Sequence, residues 1–103
     1  LRKKAEQGDA DAQYKLGILC ARAAKKLGKD NSEKYEAGAV VWYRKAAEQG
    51  YAKAQYVLGH CHYIGKGVVK NIAEAVKWYR KAAEQGNAHG QNNLGNCYIT
   101  ARG

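Results

Sequence analysis

Apolar residues fall at helical spacing along most of the chain, in two alternating patterns. After Asn71, residues Ala75, Trp78, Tyr79, Ala82, Ala83 and Gly86 recur at i, i+3, i+4, i+7, i+8 and i+11. That spacing predicts one apolar stripe on a helix. Lys77, Arg80, Lys81 and Glu84 fall on the opposite side. Asn71 followed by Glu74 has the form of a capping box, and Gly86 is placed to take the left-handed stop. The second pattern is Ala54, Leu58, Cys61 and His62, matched by Gly90, Leu94, Cys97 and Tyr98. Its spacings of four, three and one again mark a single helical face. Gly17, Gly59 and Gly95 sit in the middle of this second kind of helix, where glycine costs about 1 kcal/mol relative to alanine. A cost borne three times predicts a neighbouring helix so close that it leaves no room for a Cβ, and the small pair Ala82-Ala83 fits that reading. Gly65-Lys66-Gly67 reads as a turn, because a phosphate cradle would need more glycines and a preceding strand.

The patterns repeat. Residues 42–50 and 78–86 are both Trp-Tyr-Arg-Lys-Ala-Ala-Glu-Gln-Gly, and Lys4-Ala5-Glu6-Gln7-Gly8 is a worn copy. Gly50 to Gly86 and Gly59 to Gly95 are each 36 residues, whereas Gly8 to Gly50 and Gly17 to Gly59 are 42. The six extra residues fall in the stretch Arg22 to Ala37. There the residues after Cys20 predict an extended second helix. Gly28 to Ser32 predicts a polar loop, with Asn31 or Ser32 capping the next helix. Gly38 takes the place held by Glu74 in the later copy, a local weak point. The expected organisation is a single all-α repeat domain of about two and a half helix pairs, with units near 1–34, 35–70 and 71–103 and a degenerate insertion within 22–37. Fixed-period recurrence of this length indicates stacked repeats. The chain contains no Met and opens inside a repeat, which predicts a piece of a longer protein.

Composition narrows the function classes. No apolar run approaches the roughly 18 residues needed to span a bilayer. Net charge is +9, from 18 Lys+Arg against 9 Asp+Glu. Such a balance suits nucleic acid, an anionic surface or an acidic protein partner, though spread-out lysines also simply solvate helix surfaces. Three cysteines, Cys20, Cys61 and Cys97, cannot all pair internally. Cys61 and Cys97 hold equivalent places in successive repeats, about 8–10 Å apart by helix packing. A disulfide wants less than about 7 Å. Buried, reduced thiols are expected, which favours a reducing compartment such as the cytoplasm. Ser32 is the sole serine and Thr100 the sole threonine, so a small hydrolase is a remote alternative. His60, Cys61 and His62 are adjacent and point about 100° apart on a helix, so they cannot converge on one metal ion. No cofactor is expected, and His62 reads as a core residue with its ring nitrogen bonded or wet.

Binding is the better expectation. Stacking equivalent helices predicts ladders of Arg2, Arg44 and Arg80, of Lys3, Lys45 and Lys81, and of Glu6, Glu48 and Glu84. One reading is a solvated face carrying Arg44–Glu48 and Arg80–Glu84 pairs, each worth a few tenths of a kcal/mol. The other is a cationic groove in which Arg forks grip the carboxylates of an acidic peptide. The candidate partner-binding residues are Arg44, Lys45, Glu48, Lys77, Arg80 and Lys81. A basic nucleic-acid or anionic-surface binder is the alternative. It would need clustered cations and exposed rings, and Tyr14, Tyr51, Tyr56 and Tyr63 are the candidates for exposure. Trp42, Tyr43, Trp78 and Tyr79 lie on or beside the core stripe. Uncapped stack ends also predict end-to-end self-association.

The segment Ala39 to Gly59, Ala-x-x-Trp-Tyr-Arg-Lys-Ala-Ala-Glu-Gln-Gly-x-Ala-x-Ala-Gln-x-x-Leu-Gly, resembles the Sel-one-like repeats (SLR), relatives of the tetratricopeptide repeats. So does Ala75 to Gly95. Gly65-x-Gly67-Val68 is similar to the family's inter-repeat turn, and Leu94-Gly95-x-x-Tyr98 to its second helix. Cys20 and His62 stand where the family usually has Tyr, and Ala23 and Ala101 where it has a turn glycine. Secreted members with a paired disulfide in each repeat differ from this chain, which has one Cys per unit. The resemblance implies an α-solenoid with a right-handed superhelix, a scaffold or adaptor role in protein complexes, and no shared catalytic residues. By analogy with related repeats, the first helices of each pair would line the concave side.

Overall fold

The computed structural model describes residues 1–27 and 29–102, with side chains described for 1–27 and 32–99. Six helices follow one another: α1 (Arg2–Glu6), α2 (Ala10–Lys26), α3 (Lys29–Glu48), α4 (Ala52–Ile64), α5 (Ile72–Glu84) and α6 (Ala88–Arg102). No strand occurs among the described residues. Each helix packs mainly on its neighbours in sequence, and α4 also touches α6. The stack is an α-solenoid slab of 41 × 30 × 17 Å.

The apolar stripes bury as their spacing predicts. Ala75, Trp78, Tyr79 and Ala82 on α5 are buried, as are Ala54, Leu58, Cys61 and His62 on α4. Tyr98 differs, at 45% exposed, because no helix among the described residues covers that side of α6. Two of the three mid-helix glycines are sockets for a tyrosine. A Cβ on Gly17 would sit 2.6 Å from the ring of Tyr43, and one on Gly59 would sit 2.7 Å from the ring of Tyr79. Gly95 meets nothing within 4 Å, so the close-approach reading fails there.

Three helices end alike. Gly8, Gly50 and Gly86 all have positive φ. In each case the next residue's N–H reaches back to Lys4, Ala46 or Ala82, while the glycine N–H bonds Ala5, Ala47 or Ala83. This pairing is the Schellman motif. Helix starts are less uniform. Asp9 caps α2 by accepting from Ala12 N–H at 2.9 Å, and Asn71 caps α5 through Glu74 N–H at 3.1 Å. The return half of the expected capping box is not made. Asn71 N–H donates to the His62 carbonyl at 2.9 Å, and the Glu74 carboxylate faces Lys77 at 3.8 Å.

The insertion corrects two expectations. The second helix extends to Lys26 as predicted, but the polar loop over 28–32 is largely helix, since α3 begins at Lys29. Ser32 lies inside that helix and is not its N-cap; Gly28 and the Asn31 side chain lie outside the described residues. Helix α3 runs unbroken through residues 34 and 35. Gly38 therefore sits in its interior, not in a first turn. Just after the added turns, α3 meets the Gly65–Gly67 turn, whose glycines are both left-handed and which packs so closely that a Cβ on Gly67 would lie 2.5 Å from the Glu36 carbonyl oxygen.

A glutamine ladder ties the stack together, and sequence reading gave it no role. Gln13 donates to the Ala5 carbonyl at 3.0 Å, Gln55 to Ala47 at 3.1 Å and Gln91 to Ala83 at 3.3 Å. Each thus adds a second hydrogen bond to a carbonyl that already accepts from the glycine N–H at the preceding helix end. The ladder also links repeats, with Gln49 donating to Gln13 at 2.8 Å and Gln85 to Gln55 at 2.9 Å. Gln55 is buried and Gln91 exposed. Gln55→Ala is expected to destabilise by about 2 kcal/mol, because it removes two hydrogen bonds made by a buried side chain. Gln91→Ala should cost less than about 0.5 kcal/mol. Urea unfolding of the two variants measures the difference.

Candidate functional site

Residues that face the same way on α3 and α5 flank a cleft of about 340 Å³. Arg44 and Glu48 are one helical turn apart on α3; Lys77 and Lys81 are one turn apart on α5. All four line the cleft, together with Gln55 and Trp78. Four of the six candidate residues are therefore brought together. Lys45 and Arg80 are not in the lining. Lys45 stands over the Trp42 ring at 4.8 Å, and Arg80 donates to the Tyr98 hydroxyl. Each is adjacent to a cleft residue in sequence and so points about 100° away.

The floor is Trp78, only 4% exposed. Lys77 and Lys81 place their ammonium groups 4.8 and 5.6 Å from its ring centroid, within the range of cation–π attraction. Its indole N–H is buried with no hydrogen-bond partner among the described residues. Three cations thus border a cleft whose lining includes one carboxylate, Glu48.

The expected Arg44–Glu48 and Arg80–Glu84 pairs are not formed. Each arginine reaches across to the residue eighteen positions later on the next helix, Arg44 to His62 and Arg80 to Tyr98. Helix-to-helix reach wins because an acceptor stands there, whereas the glutamates are in solvent. Arg2 keeps the intrahelical pairing, to Glu6 at 3.2 Å.

The Arg44 Nη2–His62 Nε2 distance is 3.2 Å. A guanidinium can only donate, so Nε2 accepts and the neutral ring carries its proton on Nδ1. The ring is buried, and Nδ1 has no partner in hydrogen-bond geometry among the described residues. Burial, with Arg44 beside the ring, lowers the His62 pKa against weaker opposition from Glu74 and the Val69 backbone.

The remaining chemistry-bearing groups are scattered. Burial raises the Cys61 thiol to about 11 and raises Cys97 as well, which keeps both as poor nucleophiles. Cys61 and His62 are buried, whereas His60 is exposed, so the three do not converge. The four tyrosines expected at the surface are half-buried and engaged with other rings. Tyr14 lies 6.0 Å from Tyr43 and 5.5 Å from Tyr51, Tyr63 lies 6.5 Å from Tyr79, and Tyr56 stacks on His89 at 4.9 Å. Tyr51 also donates to Asp11 at 2.5 Å, which lowers the Asp11 pKa. A larger hollow of about 470 Å³ beside the Gly65–Gly67 turn is lined by Glu33, Glu36 and valines, and by none of the candidate cations.

The Sel1 repeat family model matches residues 10–51, 52–87 and 88–103. The chain belongs to the Sel1 repeat family. Two solved structures are similar over nearly the whole chain. The first is a Sel1 repeat protein from Oxalobacter formigenes, at 45% identity and a TM-score of 0.75, with 92% of this chain and 37% of that one aligned. The second is c5321, a protective antigen present in uropathogenic Escherichia coli strains that displays an SLR fold. It is 43% identical with a TM-score of 0.78, over 93% of this chain and 20% of that one. The chain thus spans little more than a third of one relative and a fifth of the other. No curated protein matches it. Sel1 repeats are generally non-enzymatic modules for protein–protein contact. The matched units begin at the starts of α2, α4 and α6, so the Trp-Tyr helices close their units in this phase.

Because His62 binds protons less readily in the fold than in the open chain, its contribution to stability is whole above about pH 6.5. It is lost as pH falls. Melting temperature should therefore drop between about pH 7 and about pH 5, and His62→Tyr should flatten that drop. Thermal melts monitored by circular dichroism across the range check this.

Proposed function

We propose that this chain is an interaction module that holds an acidic segment of a partner protein in the α3–α5 cleft. The observation that carries the reading is the convergence of Arg44, Lys77 and Lys81 around Trp78 in one cleft between successive repeats. Arginine supplies a planar fork for a carboxylate. Lys77 and Lys81 add point charges already held near the ring, so less rotamer freedom is lost on binding.

These side chains would grip a carboxylate whichever side of the solenoid is concave. In the family's phase α3 and α5 are the second helices of their units, so the analogy that puts first helices on the concave side does not apply to them. A protein partner is favoured over nucleic acid because the tyrosines that would stack on bases are already engaged with other rings.

An Asp-rich peptide should bind the chain, and Arg44→Glu with Lys81→Glu should weaken binding at least about tenfold, the equivalent of 1.4 kcal/mol. Lys45→Glu, outside the cleft, should change it less than about twofold. Fluorescence anisotropy at fixed ionic strength measures both. Equal loss from both variants would mean a diffuse charge effect, and retention on a polyanion column with no peptide binding would favour the nucleic-acid reading.

A further inference from the structure

We infer that His62 makes the α3–α5 cleft pH-responsive, so that an anionic ligand binds more tightly as the solution becomes mildly acidic. This inference rests on the cleft as the binding site. Arg44 lines the cleft and at the same time donates to His62 Nε2 at 3.2 Å. That bond needs an unprotonated Nε2. Once the ring takes a second proton, both nitrogens are donors. Two cations then face each other, and the guanidinium loses its acceptor.

The groups around the ring set the direction. Arg44 on α3 and Lys77 on α5 oppose the proton; Glu74 on α5 and the Val69 backbone in the turn favour it. Two of these, Arg44 and Lys77, also line the cleft. A carboxylate bound there offsets the charge of both opposing cations and gives Arg44 a replacement acceptor. The ligand therefore makes protonation of His62 easier. By reciprocity, protonation of His62 makes the ligand bind better by the same factor.

The next unit provides a built-in comparison. Arg80 makes the same eighteen-residue reach, but to the Tyr98 hydroxyl. A phenol does not titrate in the physiological range, whereas imidazole does. The substitution of His at position 62 for the aromatic hydroxyl found at position 98 is what introduces the proton dependence.

The test uses the whole chain and an oligo-aspartate peptide, whose carboxylates stay ionised throughout because their pKa lies near 3.9. Its affinity is measured by fluorescence anisotropy at constant ionic strength for the unaltered chain and for His62→Tyr. The unaltered chain should bind about three- to tenfold more tightly at about pH 5.5 than at about pH 7.5, within the limit set by one linked proton. His62→Tyr, which rebuilds the Arg80–Tyr98 arrangement, should bind with nearly the same affinity at both. In parallel, the NMR titration of the His62 ring should move to higher pH when peptide is added. Equal pH slopes in the two proteins, or a His62 titration indifferent to peptide, would overturn the inference and leave the cleft reading standing. Absence of peptide binding at either pH would overturn both.

Discussion

Two backbones meet where a tyrosine ring lies on a glycine. Tyr43 on Gly17 and Tyr79 on Gly59 fix how closely each Trp-Tyr helix approaches the helix before it. The rings are 3% and 1% exposed, so this contact excludes water and raises the phenol pKa of both. Neither glycine can acquire a methyl group without displacing a ring, and each also has a backbone carbonyl close by. Interiors pack too densely to absorb such a shift freely. With that spacing set, the other contacts of the stack come into reach. The glutamine ladder is one of them, because Gln55 can touch Ala47 and Gln85 together only if α3, α4 and α5 are held close.

The same spacing makes the repeated Trp-Tyr-Arg-Lys word point in several directions at once. Tyr79 enters the socket on the preceding helix, and Trp78 floors the cleft toward α3. Arg80 crosses to the following helix, and Lys81 returns over the tryptophan. In the earlier copy Arg44 crosses to His62 and remains on the cleft wall. The candidate site is therefore a by-product of packing: the buried Trp78 and His62 rings hold Lys77, Lys81 and Arg44 in place around one cleft.

Much of this could be read from the residues alone. Apolar stripes at helical spacing gave α4 and α5 and their buried faces, and the recurring glycines pointed to close helix approach at Gly17 and Gly59. The Gly65–Gly67 turn also followed from its residues. What failed depended on partners far away in sequence. Residues 29–32 look like loop because they are polar, yet they belong to α3, which meets the Gly65–Gly67 turn at Glu36 some thirty residues before it. Arg44 and Glu48 satisfy the rule for an intrahelical pair, yet an acceptor on another helix takes the arginine. The glutamine ladder was visible as Ala12-Gln13, Ala54-Gln55 and Gly90-Gln91, but a polar residue on a helix says nothing of its partner until the stack is assembled. Gly95 repeats the pattern with no ring above it, so recurrence alone overstated its role.

Gly95 supplies the internal control for the tyrosine socket. Gly59→Ala and Gly95→Ala make the same chemical change at equivalent positions of α4 and α6, and differ in what stands over the glycine. If the tyrosine socket governs the stack, Gly59→Ala must displace the Tyr79 ring and should lower stability by about 1–3 kcal/mol. Gly95→Ala, with open space above it, should raise stability by about 0.5–1 kcal/mol through helix propensity. Equilibrium urea unfolding of the two variants beside the parent chain gives the answer. Stabilisation by both substitutions would contradict the account, because the glycine at position 59 would then be a helix defect and not a socket.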